Sequence, residues 1–127
     1  MRHLPKIIYS TITHAKQRYN TSGDYYFEGG TLNIRVSKTA ANHEFLILIH
    51  ELIEWYLTAQ KGVSIETIDA FDKTFEKNRK PGNTDEPGDD PNAPYFKEHQ
   101  FATYIEEQIA TELGVNWDKY TQNVNRL

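Results

Sequence analysis

Residues 45–57 read FLILIHELIEWYL, an apolar run that contains three ionisable side chains, His50, Glu51 and Glu54. At 3.6 residues per turn of α-helix, His50 and Glu54 lie one turn apart on the same face, and Glu51 lies beside them. Buried carboxylates are normally paired or bound to a metal, because an unpaired charge is costly to remove from water. The run therefore predicts a helix that presents two metal ligands, His50 and Glu54, and a general base, Glu51.

Composition limits the kind of protein. The chain has 127 residues, no cysteine and a net charge of −4, which suits one domain over residues 1–127. Without cysteine, disulfides, thiolate metal sites and cysteine nucleophiles are excluded. The acidic balance argues against nucleic acid or an anionic membrane as the main partner. Residues 1–6 lack the apolar stretch of a signal peptide, so we expect a cytoplasmic protein.

The first third of the chain is typical of β-structure. Residues 6–13 are rich in β-branched and aromatic side chains, which favours a strand. Residues 24–28 and 31–37 flank Gly29-Gly30, a pair that supplies the positive φ angles of a two-residue hairpin turn. Residues 1–40 are therefore predicted to be mainly β, forming a small antiparallel sheet.

Helices are predicted for the rest. Asn42 and Ser64 are candidate N-caps, and Gly62 is a candidate stop for the first helix. The predicted elements are helices over 43–61, 64–79 and 95–113, a proline-rich loop over 80–94, and a packed tail over 114–127. The predicted fold class is α+β, with a small antiparallel sheet followed by three helices.

A third metal ligand is expected from the last predicted helix. Catalytic zinc sites without thiolates use three His or carboxylate ligands and a water. His99, near the start of that helix, is the candidate that completes a set with His50 and Glu54. Glu106 is two turns further along the same face, so it is a candidate fourth ligand, a partner for an imidazole N–H, or a solvent-facing residue.

Several sequence blocks carry a resemblance to a known family. They are 17–19 (QRY), 23–24 (GD), 34–37 (IRVS), 50–54 (HELIE), 71–72 (FD), 87–91 (PGDDP), 93–95 (APY) and 98–99 (EH). On these blocks the chain resembles a family of short phage and prophage proteins grouped with the zincin-like metallopeptidases, which implies a bacterial host. The helix motif resembles the H-E-x-x-H signature of zinc peptidases, with Glu54 in place of the second His.

The resemblance implies a zincin-like fold and a metal-dependent hydrolase. Glu51 matches the general base, which takes a proton from a metal-activated water. Strand 31–37 occupies the place of the sheet edge that helps hold a substrate backbone in zincins. Zinc is the first expectation for the metal, but the extra negative charge of Glu54 favours harder ions such as manganese or iron. The candidates for stabilising an oxyanion are Arg18, Tyr19 and Arg35.

Two other functions stay open. Glu51 and Glu54, followed by Glu66 and Asp69, resemble the magnesium-binding acidic pairs of MazG-like nucleotide pyrophosphohydrolases, although those are all-α proteins. Alternatively, a phage-encoded domain keeps its metal site as a structural clip, or without metal, and binds a host protein. Full coordination by His50, Glu54, His99 and Glu106 would favour the structural reading. The substrate and the oligomeric state are not predicted.

Overall fold

A glycine pair forms the tight turn of the sheet. In the computed structural model, which describes residues 3–127, Gly29 and Gly30 have φ angles of 56° and 80°. They join strand β2 (Gly23–Glu28) to strand β3 (Thr31–Ser37), and the two strands pair antiparallel. The predicted hairpin is confirmed. The first two residues of the predicted β region lie outside the described residues.

The first strand changes the character of the sheet. Strand β1 (Ile7–Ile12) pairs with β3 in parallel, with Ile7 opposite Leu32, and the strand order is β1-β3-β2. The prediction of a purely antiparallel sheet is therefore wrong, because the sheet is mixed. A parallel pair needs a long crossover connection. Residues 13–30, which include β2, return the chain from the end of β1 to the start of β3.

Strand β3 is the centre of the sheet. Its alternate side chains Leu32, Ile34 and Val36 are fully buried, as period-two alternation predicts for a strand with one face on the core. Since β3 is paired on both sides, it has no free edge for a substrate backbone. The edge role that the resemblance implied for 31–37 is therefore wrong, and the free edges belong to β1 and β2.

Helix α1 (Ala41–Gln60) carries the sequence motif. It begins after Ala40, which makes no side-chain cap, so the prediction that Asn42 caps the helix is wrong. Gly62 follows the helix with a φ of 75°, and this confirms the predicted stop. Helix α1 contacts both the β2–β3 hairpin and the later helix α3 (Phe96–Glu112). It therefore places its ionisable residues at the junction of these elements.

The remaining elements frame the site. Helix α2 (Ile65–Lys77) is capped by Ser64, as predicted, because the Ser64 side chain accepts a hydrogen bond of 3.1 Å from the Thr67 N–H. The loop over 80–94 contains one 3₁₀ turn, Pro87–Asp89. No helix within residues 3–127 is long and apolar enough to cross a membrane.

A fourth helix lies in the segment 114–127, which was predicted to be a packed tail. Helix α4 spans Trp117–Asn125, so the prediction of three helices is wrong. The Asn116 side chain caps it by accepting a hydrogen bond of 2.9 Å from the Lys119 N–H. Tyr120 is 2% exposed, so the tail is packed as expected. The domain is α+β, with a three-stranded mixed sheet and four helices.

Candidate metal centre

Three donor atoms converge between α1 and α3. His50 Nε2 lies 3.0 Å from Glu54 Oε2 and 3.1 Å from His99 Nδ1, and Glu54 Oε2 lies 2.9 Å from His99 Nδ1. All three residues are buried. Ligands about 2.0–2.1 Å from a zinc ion lie at comparable separations from one another. The donor set and its spacing therefore fit a divalent metal ion.

The helices explain why these atoms meet. His50 and Glu54 are separated by one turn of α1, so their side chains project from the same face. His99 lies in the first turn of α3, and its backbone N–H donates a hydrogen bond of 2.9 Å to the Tyr95 carbonyl. Because α3 packs on α1, the structure brings together the three residues that the sequence analysis selected as ligands.

Glu106 occupies the opposite side of the His50 ring. Its Oε1 lies 2.8 Å from His50 Nδ1, and its Oε2 accepts a hydrogen bond from the Tyr120 hydroxyl. Of the three roles left open for Glu106, the geometry selects the partner of an imidazole N–H. A carboxylate in this position fixes the tautomer and leaves Nε2 with a lone pair for a metal.

Two tyrosines that were not predicted as site residues hold the carboxylates of the site. The Tyr25 hydroxyl donates a hydrogen bond of 2.8 Å to Glu54 Oε1, so the other oxygen of Glu54 faces the histidines. Tyr120 holds Glu106 in the same way. Tyr25 lies on β2 and Tyr120 on α4, and no spacing along the chain connects either to the motif helix. Their only sequence signal is the high tyrosine content, eight residues in all.

The loop over 80–94 covers the His99 side of the site. A Cβ atom added at Gly88 would lie 2.4 Å from His99 Cγ, so the loop backbone packs directly on the ring. Glu86 Oε2 and Asp89 Oδ1 lie 2.9 Å and 3.3 Å from His99 Nε2. Neither contact has the geometry of a hydrogen bond.

Glu51 is outside the triangle of donor atoms, but it lines the same cleft. No hydrogen bond or ion pair to its carboxylate is found within residues 3–127. A Cβ atom added at Gly23 would lie 2.7 Å from Glu51 Cγ, so the start of β2 holds the side chain in place. Burial, reinforced by the charge of Glu54, raises the pKa of Glu51 well above its usual value. A carboxyl group with a raised pKa in a cleft is suited to general-base catalysis.

The charges at the centre are arranged around a position that attracts a cation. Burial alone would raise the pKa of Glu54, but hydrogen bonds with His50 and His99 outweigh it and lower this pKa to about 2. Burial would lower the pKa of His50, but the contacts with Glu106 and Glu54 raise it well above 6.5. The pKa of His99 is also raised, because Asp89 and Glu54 outweigh the effect of its burial. Positive charge, from protons or a metal, is thus stabilised between these carboxylates.

A cleft of about 530 Å³ lies against the centre, and Glu51, His50 and His99 are among its lining residues. Of the three candidates for oxyanion stabilisation, Tyr19 lines this cleft and donates a hydrogen bond of 3.0 Å to Asp72. Within the described part of the chain, neither Arg18 nor Arg35 contributes to the lining.

The four acids of the nucleotide pyrophosphohydrolase reading do not form one cluster. Glu66 is exposed, and Asp69 accepts hydrogen bonds from Arg18 at 3.0 Å and 3.2 Å. Among the described residues, two groups are arranged to hold a metal: the His50, Glu54 and His99 set, and a set of Glu86, Asp89 and His99. Neither group contains Glu66 or Asp69, so the structure gives this reading no support.

Asp72, which also lines the cleft, should make the folding stability pH-dependent. Burial raises its pKa from 3.8 to about 7, and hydrogen bonds from Tyr95 and Tyr19 offset only part of this effect. Because the folded-state pKa lies above the unfolded value, the associated stability is present below about pH 4 and lost as the pH rises through about 7. A shift of this size corresponds to about 4 kcal/mol at most.

We therefore expect Asp72→Asn to gain stability relative to the wild type as the pH rises from about 4 to about 8. Denaturant unfolding of both proteins at several pH values measures this difference. Asp85→Asn, on the exposed loop, is the control and should follow the wild type at every pH. A difference between Asp72→Asn and wild type that does not change with pH would contradict the prediction.

Comparison with known proteins adds no assignment. No protein-family model, curated protein or solved structure matches the chain. The resemblance to zincin-like phage proteins therefore stays a prediction, and function has to be argued from the geometry of the site.

Proposed function

We propose that the protein is a metal-dependent hydrolase in which His50, Glu54 and His99 hold a divalent metal ion and Glu51 is the general base. The observation that carries this proposal is the buried triangle of donor atoms, each pair 2.9–3.1 Å apart, at a cleft that Glu51 also lines. A set of two His and one Glu is a ligand set that zinc hydrolases use.

Each residue has a separate task in this scheme. A divalent metal bound there would supply Lewis acidity and lower the pKa of a water molecule toward neutrality. Glu51 accepts the proton and passes it to the leaving group, and its raised pKa brings its proton affinity closer to neutral pH. Glu106 and Tyr25 orient His50 and Glu54, so that the ligands keep their geometry during the reaction.

If the protein is a zincin-like peptidase, β2 rather than β3 is the strand edge that holds the substrate backbone. β2 is a free edge of the sheet, and Gly23, Asp24 and Tyr25 at its start line the cleft. An extended peptide adds to a free strand edge through backbone hydrogen bonds. A peptide paired with the start of β2 would lie close to Glu51, which Gly23 contacts.

The metal itself is part of the proposal. The resemblance favours zinc, whereas the carboxylate of Glu54 adds negative charge and a hard oxygen ligand, which favours manganese or iron. Zinc at full occupancy in untagged protein would contradict the preference for harder ions. It would leave the ligand set itself intact.

Elemental analysis of untagged protein tests the centre. We expect about one metal ion per chain in the wild type and its loss in His50→Ala and in His99→Ala, because each variant removes one of three ligands. His14→Ala is the matched control, since His14 also lines the cleft but bonds to Ser37 and Asn20. Absence of metal after zinc, manganese and iron have each been supplied would overturn the proposal.

One observation favours a second function. The triangle joins α1 to α3, so a metal there would hold the two helices together whether or not it acts on a substrate. In this reading the protein binds a host protein and its metal is structural. Chelation would then lower the melting temperature, and no hydrolysis of peptide, ester or phosphoester substrates would be detected in the metal-loaded protein.

A further inference from the structure

We propose that Glu86, Asp89 and the Nε2 atom of His99 form a second cation site, on the loop that covers the centre. The two carboxylates lie 2.9 Å and 3.3 Å from this nitrogen. Donor atoms of all three residues lie within 4.8 Å of one another. The acids of this loop, Asp85, Glu86, Asp89 and Asp90, suit a hard cation, but their spacing is not that of a calcium-binding loop.

The His99 side chain gives an independent reason to expect a ligand. His99 is 5% exposed, and its Nε2 atom is buried beside the two carboxylates without hydrogen-bond geometry to either of them. A buried polar atom without a partner costs about 1–3 kcal/mol. A cation held by Glu86 and Asp89 would give this nitrogen a partner and remove the cost.

The donor set indicates the class of ion. One imidazole nitrogen and two carboxylate oxygens suit first-row divalent ions such as manganese, iron or zinc. The side chains of Glu86 and Asp89 are 50% and 49% exposed, so water can complete the coordination. Gln100 Nε2 donates a hydrogen bond of 3.1 Å to Asp89 Oδ1, and Gly88 packs on the His99 ring, so the loop is held in place.

The two sites share His99, and a neutral imidazole has one nitrogen with a free lone pair. An ion on Nε2 places the proton on Nδ1, which then donates to Glu54 Oε2 at a distance of 2.9 Å. In that state Nδ1 has no lone pair for the first site. The sites therefore compete, and an excess of metal inhibits the protein. This competition rests on the proposed function, whereas the existence of the loop site does not.

Zinc titrations of metal-free, untagged variants test the site. His50→Ala removes a ligand from the first site only. We therefore expect it to lose the metal that copurifies with the wild type, but to take up one added zinc ion per chain, with lower affinity, through the loop. Adding Glu86→Gln and Asp89→Asn should weaken this binding by about tenfold or more. The matched control adds Asp85→Asn and Asp90→Asn instead, which removes the same charge from the same loop and should leave the affinity within about twofold.

The outcomes separate the two proposals. The loop site is overturned if His50→Ala binds no zinc. It is also overturned if zinc affinity is equal in the variant with Glu86→Gln and Asp89→Asn and in its matched control. If His50→Ala does not fold, Glu54→Gln disables the first site with a side chain of the same shape, and the same comparison applies. Two zinc ions bound by the wild type overturn the competition. The wild type and His50→Ala could also bind zinc with equal affinity, and both could lose this binding when Glu86→Gln and Asp89→Asn are added. That result would support the loop site and overturn the hydrolase centre.

Discussion

Glu51→Gln should lower the rate of hydrolysis by about 10²–10⁴-fold and leave the metal content unchanged. A general base contributes a factor of this size, and the amide of glutamine cannot accept a proton at neutral pH. The metal should stay because Glu51 is outside the triangle of His50, Glu54 and His99. The measurement is the rate with peptide, ester and phosphoester substrates, together with elemental analysis of the same samples.

The control for this prediction is Glu107→Gln, which makes the same chemical change on the exposed face of α3. It should keep the wild-type rate and the wild-type metal content. A full rate in Glu51→Gln would show that Glu51 is not the base. Loss of metal in Glu51→Gln would show instead that Glu51 is a ligand, so elemental analysis distinguishes the two failures.

Local patterns account for the parts of the site that lie within one helix. The spacing of His50 and Glu54 follows from helical periodicity, and the apolar residues around them predict that this face is buried. His99 lies outside this helix, and it is predicted as a ligand because a metal site without thiolates needs a third ligand. The packing of α3 on α1 places it at the predicted position.

The features that the sequence did not predict depend mostly on contacts between segments that are distant along the chain. Tyr25 is on a strand and Tyr120 is on a short terminal helix, and each touches the site only after the sheet and α4 have packed. The parallel pairing of β1 with β3 was also not predicted, because the residue pattern of one strand does not determine which strand it pairs with. The fourth helix did have a local signal, the cap at Asn116, but its apolar face has few residues.

Two glycines approach the site closely, and their alanine variants should differ in whether the metal is lost together with hydrolysis. In Gly88→Ala the new Cβ would lie 2.4 Å from His99 Cγ, so the ring has to leave its position beside the other ligands. We expect the metal affinity to fall by about 10–100-fold, the effect usually seen when the support of a ligand is lost. Gly88 is not among the positive-φ glycines of the described chain, so the backbone itself tolerates alanine.

Gly23→Ala provides the matched comparison because its Cβ would lie 2.7 Å from Glu51 Cγ and 2.8 Å from Glu51 Oε1, rather than against a ligand. Both substitutions add one methyl group to a packed site, so each should cost about 1–3 kcal/mol of folding stability. Gly23→Ala should therefore lose hydrolysis and keep its metal, whereas Gly88→Ala should lose both. A shared loss of stability cannot by itself produce a difference in metal affinity between the two variants. Equal metal affinity, measured by competition with a chelator, would therefore contradict the assignment of His99 as a ligand, and full hydrolysis by Gly23→Ala would contradict the assignment of Glu51 as the base.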